Sequence, residues 1–426
     1  MIRTISLAAR VDATEFTFQQ TDLFTWTQQT PKLGQSVYLS TLLWMFSWAT
    51  LATPLSLALD HNDSQAGAGP RRAVLVGQFD LHSAGYTGAA PTHEQWGLHL
   101  RLNPLCFTGD NLLIATFVAR ESVAVVVGRD QKDKETPFVL NAVVLQMDTP
   151  KMLAAKRWPL THPQGGIVAA TKGGFAVLTA SMIALYAGDL SPLGQLDLSA
   201  ELQSHLWTFH TSPNGNSILV EYHYPQSLFQ WVDFPSLRPQ AVWSDSLPGV
   251  SIANKTIAFS DETFTKETGL VHKVLIRAST GSEQTLCRAV SGQSEHCGEP
   301  QFISDDNLAL LTPHSLIARA RVGGDPILTA KFRDDEWLGP QVFPSADGKR
   351  FAVTVWAHKG GNELFDINYH NILKRIIVYD VENQRAIYEL DGKHEKLKSA
   401  SGVALSADGS IIAILSDALI SVYRFR

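Results

Sequence analysis

Ser406-Ala407-Asp408-Gly409, followed by Ile411-Ile412-Ala413-Ile414-Leu415, is the stretch whose reading decides the fold. A small polar turn opens directly onto a short apolar strand. Gly accepts the left-handed backbone that a hairpin built on a type I turn needs where the chain enters its second strand, and Ser or Asp before it can bond the turn's own backbone. Gly402-Val403-Ala404-Leu405 supplies the strand before the turn, and Leu419 to Phe425 the strand after it.

The same pattern occurs at six earlier places: Thr108-Gly109-Asp110-Asn111, Thr171-Lys172-Gly173-Gly174, Ser212-Pro213-Asn214-Gly215, Ser251-Ile252-Ala253-Asn254, Ser304-Asp305-Asp306-Asn307 and Ser345-Ala346-Asp347-Gly348. The fourth position is always Gly or Asn, the residues that most easily adopt a left-handed backbone. Spans of 63, 41, 39, 53, 41 and 61 residues separate the successive fourth positions. A four-stranded unit needs roughly 40 to 45 residues, so three spans are bare units and three carry insertions. Recurrence at this period marks an array of supersecondary units, and four strands per unit predict an all-β, seven-bladed β-propeller. Residues 123–160 are where a blade is hardest to delimit, which leaves six or eight blades as alternatives.

Ile377-Val378-Tyr379-Asp380-Val381-Glu382-Asn383-Gln384 reads as a third strand and its turn, and Asp391-Gly392-Lys393-His394 as the crossing into the next blade. These segments resemble the WD40/YVTN-like β-propeller superfamily, well over residues 340–426 and weakly elsewhere. The resemblance implies the fold and little about function. No Trp-Asp pair closes a third strand, and a loosely related bacterial propeller fits better than a eukaryotic-type scaffold. The chain stops after the last blade's third strand, so a fourth must come from elsewhere or an edge is left unpaired. Ala73 to Leu81 is placed to supply it, and Gly77-Gln78-Phe79-Asp80-Leu81 resembles Gly194-Gln195-Leu196-Asp197-Leu198 in an outer-strand position.

Three regions are expected: a leader over 1–59, a polar linker over 60–72 and the propeller over 73–426. No residue from Gly34 to Leu59 is charged, Lys32 precedes this run, and Ser56-Leu57-Ala58 resembles the small-x-small end of a secretory signal. Export to the periplasm or medium is the favoured reading. A retained membrane anchor over 37–59, with the propeller outside the cytoplasm, and a buried element are the alternatives. The long polar start, which contains acids, is unusual before a signal core. Net charge is −6 with no Lys/Arg-rich run, which argues against nucleic acid or anionic lipid as an electrostatic partner. If the protein is exported, Cys287 and Cys297 are expected to form a disulfide and Cys106 to stay a buried free thiol; two unpaired thiols are the alternative.

No residues identify a reaction. His-Glu-x-x-His and Gly-x-Ser-x-Gly are absent, the Gly-Gly pairs lie outside any strand-to-helix context, and the histidines are not spaced as metal ligands. The expectation is a non-catalytic, monomeric module without cofactor that binds a protein, peptide or glycan through loops on one face. Two insertions, about 118–138 and 356–371, follow second strands and so emerge on the same side. They offer Arg120, Arg129, Trp356, His358, Lys359, Glu363, Asp366, Tyr369 and His370 as candidate ligand-binding residues. The alternative is a propeller enzyme of lactonase or quinoprotein type, with a metal or quinone at the central channel, where His210 on an inner strand lies.

Overall fold

In the computed structural model, the described residues are 73–86, 104–109, 111–120, 138–160, 167–171, 173–179, 182–198, 206–222, 228–244, 250–253, 255–265, 269–290, 297–321, 323–358, 371–393, 395, 397 and 400–425. The leader and the linker lie outside them.

Among these residues the chain folds into seven four-stranded antiparallel sheets. The first strand, β1 (Val74–Asp80), leads through a short 3-10 turn (Leu81–Ala84) into blade one: β2 (Leu105–Phe107), β3 (Leu112–Arg120), β4 (Phe138–Gln146) and β5 (Lys151–Leu160). Blade two is β6 (Ile167–Thr171), β7 (Gly174–Leu178), β8 (Met182–Ala187) and β9 (Pro192–Asp197). Blade three is β10 (Leu206–Thr211), β11 (Ser217–Tyr222), β12 (Leu228–Asp233) and β13 (Arg238–Ser244). Blade four is β14 (Ser251–Ala253), β15 (Thr256–Thr265), β16 (Gly269–Ala278) and β17 (Glu283–Val290). Blade five is β18 (Glu299–Phe302), β19 (Asn307–Thr312), β20 (Ser315–Ala320) and β21 (Pro326–Lys331). Blade six is β22 (Glu336–Pro344), β23 (Arg350–His358), β24 (Asn371–Asp380) and β25 (Arg385–Asp391). Blade seven is β26 (Gly402–Leu405), β27 (Ile411–Ser416) and β28 (Leu419–Arg424), with β1 as its outer strand. The described part of the uncertain stretch, 138–160, is the outer half of one blade, and among the described residues the count is seven.

Side chains alternate across each strand, and every blade uses both faces. In β27, Ile411, Ala413 and Leu415 pack toward blade one, while Ile412 and Ile414 pack toward blade six. Seven separate apolar cores result, one between each pair of neighbouring blades. A fully buried side chain of this size contributes about 1.5–3 kcal/mol, so each of these cores is a substantial attachment between blades.

The N-terminal strand closes the ring as expected. β1 pairs with β28 from Val74↔Arg424 to Asp80↔Leu419, with a bulge between Leu75 and Gly77. Gln78 Nε2 donates to Ser421 Oγ at 3.0 Å, and Leu81 N to the Ala418 carbonyl at 2.9 Å. Leu81 is buried with Val76 and Phe79 in the core shared by blades seven and one.

The inner turns match the expected chemistry in part. Ser212, Ser345 and Ser406 each donate from Oγ to the side chain two residues on (Asn214, Asp347, Asp408), and accept from the backbone N–H five residues on. Gly215, Gly348 and Gly409 have φ of 66°, 68° and 66°, so the fourth position is left-handed in blades three, six and seven. At Asn111, Gly174 and Asn307 it is not: blade two is left-handed one residue earlier, at Gly173, and blade four is left-handed at Lys255. In blade five the Ser304 hydroxyl accepts from Asp306 N and Asn307 N, so this tighter turn delivers Asn307 already extended.

Candidate functional site

The two ends of the ring differ. One end carries the turns from first to second strands and from third to fourth strands. The other carries the second-to-third-strand hairpins and the crossings between blades.

At the first end the inner turns interlock. Asp347 N donates to the Ala407 carbonyl at 3.0 Å, and Arg350 Nη1 to the Gly409 carbonyl at 3.1 Å. A cavity of about 370 Å³ here is lined by residues that include Asn214, Asp305, Asp306, Asp347, Lys349 and Glu382. Its polar groups hold one another: Asn214 Nδ2 donates to Asp305 Oδ2 at 2.8 Å, Asp347 accepts from Ser345 Oγ and Lys349 N, and Glu382 pairs with Lys349 at 3.3 Å. Burial pushes the Asp305 carboxyl above its usual range; the Asn214 bond acts against this and the neighbouring Asp306 charge adds to it. These contacts connect turns and make this end mainly structural.

At the second end the hairpins are unequal. In blades two, three, five and seven the second and third strands are five or six residues long. In blades one, four and six they run to nine or ten: β3 with β4 to Arg120↔Phe138, β15 with β16 to Thr265↔Gly269, and β23 with β24 to His358↔Asn371. The insertions read from the sequence in blades one and six thus do follow second strands and emerge on the same end. Blade four's span of 53 residues was counted among those with insertions, but its hairpin was not among the candidate binding loops.

The next-to-last cross-strand pair of blade four's hairpin is Phe264↔Leu270. Phe264 is 73% exposed and Leu270 40%. On blade six, Ile372 is likewise exposed just past the inserted loop. Among the proposed ligand-binding residues, Arg120 and His358 end the strands that lift two of these hairpins. Trp356 is half-buried in the core between blades six and seven, its Nε1 donating to Thr354 Oγ1 at 3.0 Å. Arg129, Lys359, Glu363, Asp366, Tyr369 and His370 lie outside the described residues.

Two devices brace this end. Glu336, 1% exposed at the start of β22, is gripped by Lys374 Nζ and Arg375 Nη2, each at 2.8 Å, and Arg375 reaches Glu389 at 3.2 Å. Burial pushes the Glu336 carboxyl up, but the Lys374 bond and the Arg375 charge outweigh it and hold it below its usual value. Lys374 and Arg375 stand at the foot of blade six's hairpin, so this cluster fixes its base. In blade four, Cys287 on β17 is bonded to Cys297 in the crossing to blade five, with the Cα atoms 5.6 Å apart. Cys106 is a buried free thiol whose pKa burial pushes up to about 12, so it is not a ready nucleophile. His210 sits on inner strand β10 with Nε2 2.7 Å from Glu221 Oε2. Among the described residues no three His, Cys, Asp or Glu side chains are grouped to hold a metal ion, and no helix is long and apolar enough to cross a membrane.

No protein-family model and no curated protein matches the chain. Among solved structures, the WD40 domain of Neurospora crassa Pan2 is similar over 83% of this chain and 96% of that one, at 12% identity and a TM-score of 0.43.

Proposed function

We propose that this seven-bladed propeller is a non-catalytic binding module working outside the cytoplasm, and that it holds its ligand on the end where the second-to-third-strand hairpins emerge. The observation that carries the reading is the blade four hairpin, which projects beyond the ring and presents Phe264 and Leu270 to solvent. A fold spends nothing on keeping two large apolar side chains at a hairpin tip; a partner that covers them gains their burial. Such a pair favours a protein or peptide over a glycan, while the hairpins of blades one and six, with Arg120 and His358 at their ends, frame the rest of the surface.

The disulfide between Cys287 and Cys297 supports an oxidising compartment, and the uncharged run from Gly34 to Leu59 supports export or anchoring there. The protein is read as a monomer. A photo-crosslinking residue at 264, compared with one at the polar outer position 385, tests the binding face. Adducts to a polypeptide at 264 alone, lost in a Leu270→Ser variant with unchanged melting, are the expected result. Equal labelling at both positions would overturn the assignment, and mapping the mature N-terminus in a fractionated cell tests the location.

A further inference from the structure

The outer strands start unequally around the ring. At the end where the inner turns lie, blade seven's outer strand begins Val74-Leu75, blade one's Lys151-Met152-Leu153 and blade two's Pro192-Leu193, and all of these residues are exposed. Leu193 is 60% and Leu153 52% accessible. The corresponding starts in blades three, four and six are Arg238-Pro239-Gln240, Glu283-Gln284-Thr285 and Arg385, while in blade five Leu328 is buried. Large exposed aliphatics at this level are therefore confined to three consecutive blades.

These blades are held to one another along that edge. Pro150, in the turn before β5, fills the space over Gly77 of β1 so fully that a Cβ on the glycine would lie 2.7 Å from the proline ring. Arg424 pairs with Asp148 at 3.0 Å, and Gly188 of blade two lies against Leu112 of blade one. The five aliphatic side chains thus stand on one continuous arc of the rim. An outer strand is normally kept from sticking to other surfaces by charge, and here aliphatics stand where blades three, four and six place charge.

The chain itself indicates what covers the arc. Residues 1–72 precede Ala73, the neighbour in sequence of Val74 on the arc, and the last two of them are Arg71-Arg72. The uncharged run Gly34 to Leu59 ends only 14 residues before Ala73. Aliphatics beside Lys151, with an Arg pair next in the chain before Ala73, are the composition of a surface that lies in the headgroup region of a bilayer. We propose that the rim of blades seven, one and two is a lipid-facing edge: the propeller rests on a phospholipid surface through Val74, Leu75, Met152, Leu153 and Leu193, leaving the hairpin end free for its ligand. This assignment does not rest on the ligand-binding reading.

The experiment uses the full chain with single cysteines carrying an environment-sensitive fluorophore at Leu153→Cys, Leu193→Cys and, as the control on blade six, Arg385→Cys; Leu75→Cys replaces any label that disturbs folding. The protein is mixed with vesicles of phosphatidylcholine containing a spin-labelled quencher lipid. The expected result is quenching at positions 153 and 193 that exceeds that at 385 by roughly twofold or more, because only groups at headgroup depth meet the quencher. Equal quenching at all three positions, or none at 153 and 193, overturns the proposal. So does shielding of 153 and 193 that grows with protein concentration in the absence of vesicles, which would assign the arc to a second copy of the chain.

Discussion

Asn214 in blade three and Asp305 in blade five are not neighbours in the ring, yet Asn214 Nδ2 donates to Asp305 Oδ2 at 2.8 Å. The bond joins inner turns separated by a whole blade. The other carboxylate oxygen, Oδ1, is buried without a hydrogen-bond partner among the described residues. Burial, against the Asn214 bond and with the Asp306 charge, holds this carboxyl above its usual range. A carboxyl whose folded pKa exceeds its unfolded one weakens the fold once ionised; the penalty is absent in acid and present at neutral pH. Asp305→Asn keeps an acceptor for Asn214 and removes the charge. Its melting temperature should exceed wild type at pH 7, with the gap closing as the pH falls toward about 4. A gap that does not change with pH would show that the charge is not what costs stability.

Ring closure gives a second expectation. β1 covers the edge of β28 and adds Val76 and Phe79, and beyond it Leu81, to the core between blades seven and one. Removing residues 73–81 should cost about 5 kcal/mol or more, read as a large drop in the calorimetric melting temperature. A finer probe is Gly77→Ala, which sets a methyl against the Pro150 ring. A proline ring cannot swing aside, so a loss of about 1–3 kcal/mol is expected. An unchanged melting temperature in the deletion would mean that the ring does not depend on this strand.

Blade number, strand order and closure were legible in the sequence because they follow from local chemistry. Ser-x-Asp-Gly before Ile411 specifies a hairpin wherever it stands, and Val74–Asp80 resembles the outer strand of blade two, which marks it as the partner of β28. The site was less legible for two physical reasons. Trp356 reads as a surface aromatic on an insertion, but strand alternation turns it into the core of blades six and seven. Phe264 reads as an ordinary strand residue, and only the ten-residue length of β15, set by pairing with β16, carries it past the ring into solvent. The same holds for Asn214 and Asp305, whose contact depends on ring geometry that no sequence spacing encodes.

Glu336 supplies a third expectation, with the opposite pH sign from Asp305. Its carboxyl is held below the usual value despite burial, by Lys374 and Arg375. A group depressed on folding contributes stability above its unfolded pKa and loses it as the pH falls through the folded value. Glu336→Gln leaves Lys374 and Arg375 facing a neutral amide, yet both cations are partly solvated and Arg375 keeps Glu389. The cost at pH 7 should be about 2 kcal/mol, below that of severing a fully buried pair. Denaturation at pH 7 and at about pH 3.5 checks it: the gap between the two proteins should be full at the first and narrower at the second. A constant difference would assign the loss to packing rather than to charge.

Gly348 and Gly109 occupy the same turn in blades six and one, and separate conformational need from mere turn composition. Gly348 has φ of 68° and lies so near Ser304 of blade five that any Cβ would collide with it. Gly109 has no atom within 4 Å of where its Cβ would be, and its φ is not left-handed. In Gly348→Ala the left-handed penalty of about 1–2 kcal/mol adds to a contact that neither turn can relieve without moving the other. A loss of about 2–4 kcal/mol is expected, against roughly zero for Gly109→Ala. Chemical denaturation of the two variants at pH 7 decides between a glycine kept for flexibility and one kept for the joint between blades. Equal effects would mean that the blade five and six turns are not locked together at this point.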